Sequence, residues 1–123
     1  MKSHWMVYQG KQILYCDYAN FALDQFEAFK TELDSAVAVI TREPEKSLLA
    51  LTDIRRSVAS PAVVDMFKTA AIVTAKHIRK QAVVGVSGMK KILFDAVIHI
   101  SKQPARAFGD LELEKAQKWL VED

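Results

Sequence analysis

Two short polar segments carry the residue types that could hold an anion. The first, DIRRS, brings Asp53, Arg55, Arg56 and Ser57, with Ser60 three residues further on. The second, SGMKK, brings Ser87, Gly88, Lys90 and Lys91. Each stands where an apolar strand-like run gives way to a helical hydrophobic period, so each reads as a strand-to-helix turn. Backbone N–H groups at a helix start have no intrahelical partner and lie at the positive end of its dipole. Cations beside them add charge-assisted hydrogen bonds. If the two preceding strands are neighbours, their carboxyl ends gather all nine residues on one rim, suited to a phosphate, a carboxylate or a lipid headgroup. The plainer alternative is that Ser60 and Ser87 only cap their helices while the arginines and lysines are solvated.

Other chemistry is thinly represented. His4, His77 and His99 include no pair at the i, i+4 spacing of a metal site, and no metal or cofactor is expected. Cys16 falls within an apolar strand pattern with no clustered His or Asn, which fits a small buried hydrophobe better than a nucleophile. No serine occupies a G-x-S-x-G elbow. No acid, base and nucleophile can be assembled, so the sequence reads as non-enzymatic.

The elements that must position the polar segments follow from hydrophobic period. Trp5 to Tyr8 and Gln12 to Asp17 alternate about Gln9, Gly10 and Lys11, a hairpin. Phe26, Phe29, Leu33, Ala36, Val37 and Ile40 recur at helical spacing, predicting a first helix from about Ala22 to Arg42, stopped by Pro44. Ser47 to Thr52 is apolar on both faces and reads as an interior strand. Ser60 before Pro61 is a helix start, predicting a second helix to about Ile78 with Val63, Phe67, Ala70, Ala71 and Thr74 inward. Lys76, His77, Arg79 and Lys80 would then complement its carboxyl end. Ala82 to Val86 forms a second buried strand, and Met89, Ile92, Leu93, Ala96, Val97 and Ile100 mark a third helix. Arg106 to Phe108 reads as a short edge strand. Asp110 is expected to cap a last helix with Glu112 and Glu114 in its first turn.

The order β-β-α-β-α-β-α-β-α defines an α/β fold: a mixed five-stranded sheet, first strand antiparallel and the rest parallel, with about four flanking helices. A chain of 123 residues without repeats or linkers reads as one domain, 1–123. A single cysteine excludes an intrachain disulfide and fits a reduced, cytoplasmic setting. The longest apolar run, Ala36 to Ile40, is far short of the ~20 residues that span a bilayer, and the opening MKSHWMVYQG lacks a signal-peptide core. The net charge of +2 with signs mixed throughout and no aromatic residues among the cations argues against nucleic acid. On the second helix, Val64, Met66, Ile72 and Val73 spread apolar character beyond one stripe, which fits either cover by the next helix or a homodimer contact.

Four blocks, KQILYCDYAN, SLLALTDIRRSVASPAVVDMFK, QAVVGVSGMKKILFDAV and FGDLELEKAQKWLVE, together resemble the STAS-like superfamily, and within it the bacterial SpoIIAA-like subgroup of short stand-alone proteins. The resemblance implies a fold related to anti-anti-sigma factors and to CRAL-TRIO-type lipid-binding domains. It implies no common enzymatic activity. In regulatory members a serine at the start of the helix after the central strand is phosphorylated, which places the candidate phosphoacceptor at Ser60, with Ser57 second. Those regulators carry an Asp-Ser-Ser-Gly type sequence, whereas this chain has Val58, Ala59, Ser60 and Pro61. Two functions are therefore expected. One is a cytoplasmic regulatory domain that reads a protein partner through the DIRRS loop and the next helix start. The other is a small carrier enclosing an apolar or lipid-like anionic ligand between sheet and helices, its head near Arg55, Arg56 and SGMKK.

Overall fold

The computed structural model describes residues 1–122. Strand β1 (His4–Tyr8) pairs antiparallel with β2 (Lys11–Asp17), with Tyr8 opposite Lys11. The two-residue turn between them is taken by Gln9 and Gly10, both at positive φ (48° and 79°), as a twisted hairpin requires. A 3-10 turn, Leu23–Gln25, leads into α1 (Phe26–Ile40). Then come β3 (Leu48–Asp53), α2 (Pro61–Thr74), a 3-10 turn (Ala75–His77), β4 (Ile78–Val84), α3 (Met89–Ser101), β5 (Ala105–Phe108) and α4 (Leu113–Val121).

The strands lie in the order β1-β2-β3-β4-β5, and every pair after the first is parallel. Strand order therefore follows chain order without reversal. A right-handed crossover that always steps in the same direction places its helix on the same side each time. The packing agrees. Leu14, Cys16, Leu48, Ala50 and Ile78 face α1 and α2 in one core, and α3 lies against α2 on that side. Ile13, Leu49, Leu51, Ala82, Val84 and Phe108 face α4 in a second core with Ala116 and Leu120. All six residues of β3 are buried, as a strand covered on both faces demands.

Three boundaries depart from the sequence reading. Helix α1 starts at Phe26 because Ala22 to Gln25 form the tighter turn, with the Ala22 N–H donating to the Gln25 side chain at 2.8 Å. Helix α2 stops at Thr74 and β4 begins at Ile78, so Arg79 and Lys80 are strand residues. Burial of Ile78 (2% exposed) opposite Leu48 outweighs another helical turn, and the His77 ring bonds the Glu43 carbonyl at 2.7 Å to fix the junction. Lys80 does meet a helix carboxyl end, but that of α4: its Nζ donates to the carbonyls of Trp119 and Glu122 at 2.9 and 2.8 Å. Asp110 does not cap α4. Glu112 holds the cap position, and its carboxylate accepts the Gly109 N–H at 2.8 Å.

Candidate functional site

A cavity of about 160 Å³ lies between the α1–α2–α3 layer and the sheet. Its walls are apolar: Phe29 and Leu33 from α1, Phe67 and Ala70 from α2, Leu93, Phe94 and Val97 from α3. Tyr18, Phe29 and Phe67 meet edge to face with centroids 5.1–5.7 Å apart, a rigid wall that cannot collapse inward without losing those contacts. The lining is exposed in two places, Ala22–Leu23 and Val58–Ala59. The cavity therefore meets solvent beyond the carboxyl ends of β2 and β3, with Leu23 67% exposed at the opening. The two lips are laced together by the Val58 N–H to the Phe21 carbonyl (3.0 Å) and by the Ser57 hydroxyl, which lies 2.8 and 2.7 Å from the carbonyls of Tyr18 and Ile54.

A chain of neutral polar groups runs along another part of the wall. The Thr52 hydroxyl donates to Gln81 Oε1 (2.6 Å), Gln81 Nε2 donates to Gln103 Oε1 (2.9 Å), and Gln103 Nε2 donates to the Ala71 carbonyl and to Thr74 Oγ1 (2.8 and 2.9 Å). All four side chains line the cavity, and Thr52, Thr74 and Gln103 are buried. Cys16 lines it too: burial pushes its thiol up to about 12, so it remains neutral. Tyr18 is likewise pushed well above its ordinary value, chiefly by burial. Sequence reading missed this chain because Gln81 and Gln103 stand 22 residues apart and meet only through the fold. A glutamine opening the otherwise apolar run QAVV was the available signal.

The rim residues divide into separate sets. Asp53 is 1% exposed and shares the α4 side of β3 with Leu49 and Leu51. Arg55 clasps it through Nε (3.0 Å), Nη2 (2.8 Å) and its backbone N–H (3.0 Å), and the Tyr15 hydroxyl donates a short bond to the same carboxylate. Burial pushes the Asp53 carboxyl up, but the bonds from Arg55 and Tyr15 outweigh it and hold the group below its ordinary value. Tyr15 is pushed up to about 12, first by burial and then by its bond to Asp53. Arg56, at φ 59°, turns its Nε to Asn20 Oδ1 at 2.7 Å. Ser60 accepts the Val63 N–H at 3.2 Å and caps α2. Ser87 and Gly88 are exposed, and their carbonyls accept the first N–H groups of α3, from Lys90 and Lys91. Lys91 pairs with Asp95 at 3.4 Å on the exposed side of that helix. Lys90 turns the other way: it lines the cavity and its Nζ donates to the Ile54 carbonyl at 3.0 Å. Of the rim set, the fold joins Asp53 to Arg55 and brings Ser57, Ser60 and Lys90 to the cavity.

Gly85 belongs to the same region and was not singled out by its sequence context. At φ 100° it lies so near the Arg55 backbone that an added Cβ would sit 2.7 Å from the Arg55 nitrogen. Its N–H and that of Val86 both donate to the Phe108 carbonyl at 2.9 Å.

No family model and no curated protein matches this sequence. Among solved structures it is similar to the crystal structure of an uncharacterized protein of the DUF3478 family, with a SpoIIAA-like fold, from Shewanella loihica PV-4. The TM-score is 0.66 at 18% identity, covering 97% of this chain and 92% of that one. The chain thus has the SpoIIAA-like α/β fold that the four sequence blocks implied. Among the described residues no helix is long and apolar enough to cross a membrane, and no cluster of His, Cys, Asp and Glu could hold a metal ion.

Proposed function

We propose that this domain is a small-molecule binding protein that encloses an apolar ligand between its sheet and the α1–α2–α3 layer. The cavity carries this reading. A void of about 150 Å³ lined by apolar side chains admits a molecule the size of benzene, and the cavity here is of that size, lined largely by aromatic and aliphatic groups, and open at one end. Hydrophobic walls with a few fixed polar groups are the usual make-up of a ligand site. NMR titration with 1-octanol tests it: amides of Val63, Val97 and Ile98 should shift while those of Leu49 and Ala82, on the other face, should not. Val97→Phe, which fills the space, should abolish the shifts, and shifts confined to the α4 face would refute the reading.

A second reading has its own support. Met89 and Ile92 on α3 and Ile72 and Val73 on α2 are 70, 64, 54 and 47% exposed, more apolar surface than two solvated helices need. A cytoplasmic regulatory domain that docks a protein partner, or a second copy of itself, would cover them. In that reading Ser60, half-exposed at the start of α2, is the phosphoacceptor, and phosphate would add roughly −1.5 to −2 charge there. Ser57 is the weaker candidate because its hydroxyl is already held by two carbonyls. Ser60→Asp and Ser60→Ala binding every partner as tightly as the parent would remove this reading, and native mass spectrometry would report ligand and subunit count together.

A further inference from the structure

Lys90 is the one charged side chain among the described residues that line the cavity. The residue is half-buried, and its Nζ lies 3.0 Å from the carbonyl of Ile54, the residue that follows the carboxyl end of β3 where the cavity opens, with no ion pair to a carboxylate among the described residues. One N–H of the three is used by that carbonyl, which leaves two donors for an oxygen pair. The starts of α2 and α3 reach the same cavity through Ser60, Val63 and Lys90, so two helix dipoles add positive potential there. Burial pulls the Lys90 pKa down while the charges of Asp110 and Asp53 act against it, so a carboxylate placed at Nζ would further offset the cost of burying the charged form. The other cations of the rim are committed: Arg55 to Asp53, Lys91 to Asp95, and Arg56 to the Asn20 side chain.

Resting on the cavity reading above, we propose that the natural ligand is a medium-length apolar carboxylic acid whose carboxylate is held by Lys90 at the mouth and whose hydrocarbon part lies inward. The volume sets the length. By the benzene comparison, 160 Å³ takes about six to eight apolar heavy atoms, which fits an acid of about eight carbons once the head is left at the opening. A single point-charge ammonium suits a monoanion. A phosphate dianion is better matched by the forked donors of arginine, and none faces the cavity.

Calorimetric titration of the parent protein with octanoate and with 1-octanol, at equal chain length, separates head from tail. Octanoate should bind at least tenfold more tightly. Lys90→Met should remove that preference while leaving octanol binding within about twofold, and Lys90→Arg should restore most of it. Equal affinity for the two ligands in the parent, or a preference that survives Lys90→Met, overturns the assignment of the head while the cavity reading stands. Binding of neither ligand to the correctly folded parent overturns both. Octanol binding retained in Lys90→Met shows that the variant keeps its fold.

Discussion

Gly85→Ala should be among the most damaging single-methyl additions to this domain, and the size of the effect follows from two terms. The first is backbone strain. A non-glycine residue held at a positive φ such as 100° costs about 1–3 kcal/mol. The second is contact: the new methyl would stand 2.7 Å from the Arg55 nitrogen and 2.9 Å from its Cα, far inside the ~3.5–4.0 Å optimum for such pairs. Those are backbone atoms, and the Arg55 N–H holds Asp53 in place. Forced displacement of this kind adds about 1–3 kcal/mol. Gly88→Ala supplies the control, because Gly88 also has positive φ (56°) but nothing within 4 Å of an added Cβ. The difference between the two variants isolates the contact. Unfolding entropy of about 2.1 cal/mol/K per residue gives about 0.26 kcal/mol/K for a chain of this length, so Gly85→Ala should melt about 4–12 °C below Gly88→Ala. Thermal denaturation followed by circular dichroism, checked by urea midpoints, measures both. If Gly85→Ala is as stable as Gly88→Ala, the close approach of the Arg55 loop is wrong.

Four further outcomes are expected. Arg55→Met should destabilise the fold by about 3 kcal/mol at pH 7, because it strands a buried carboxylate; a urea midpoint unchanged from the parent would contradict the clasp. Asp53 and Glu32, the latter accepting the N–H groups of Lys2 and Ser3 at 2.7 and 2.9 Å, both have lowered folded pKa values, so their stabilisation is complete above the ordinary carboxylate range and is lost as pH falls from about 5 through those depressed values. A flat stability profile between pH 6 and 3 would argue against it. Cys16, neutral to about pH 12 and 2% exposed, should react at pH 8 with a thiol reagent too bulky for the cavity only at the rate of unfolding, whereas immediate labelling of the native protein by such a reagent would refute its burial. Gln103→Leu should cost about 1–3 kcal/mol, since it leaves Gln81 and Thr74 without their buried partner, and a neutral effect would remove that chain from the account.

The sheet was legible because its signals are local. Leu48 to Leu51 has no polar face and must be covered twice, and Ser60–Pro61 starts a helix by its own chemistry. The β4 start was hidden because Arg79 and Lys80 look like a helix end, and only the Lys80 contacts with α4, some forty residues away, show why a strand tolerates them. A carrier with its ligand between sheet and helices was one of the two expected functions, yet the cavity itself could not be read from the hydrophobic period. Phe29, Phe67 and Leu93 recur at the spacing of any packed helix face, and period alone does not tell a filled interior from one with a space in it. Lys90 does reach the turn that carries Asp53 and Arg55, its Nζ meeting the Ile54 carbonyl, but side chains of β3 alternate, so Thr52 faces the cavity while Asp53 lies on the side of the opposite core. Strand order was not legible in the sequence, and in the fold it follows chain order without reversal.

That unreversed order has a consequence for how the chain assembles. Each parallel strand joins the edge left by the one before it, so every new pairing needs only the intervening helix to close its loop, and no strand has to insert between two already in place. Growth can follow synthesis strand by strand. β5 with α4 follows every other described element along the chain, and it is also the sole cover of the second core among them. Until it docks, Leu49, Leu51, Ala82 and Val84 form an open apolar sheet face beside an unpaired β4 edge, the kind of surface through which incomplete chains aggregate. A ribosome-stalled fragment ending near Lys102 should therefore engage chaperones strongly and release them once β5 and α4 are added.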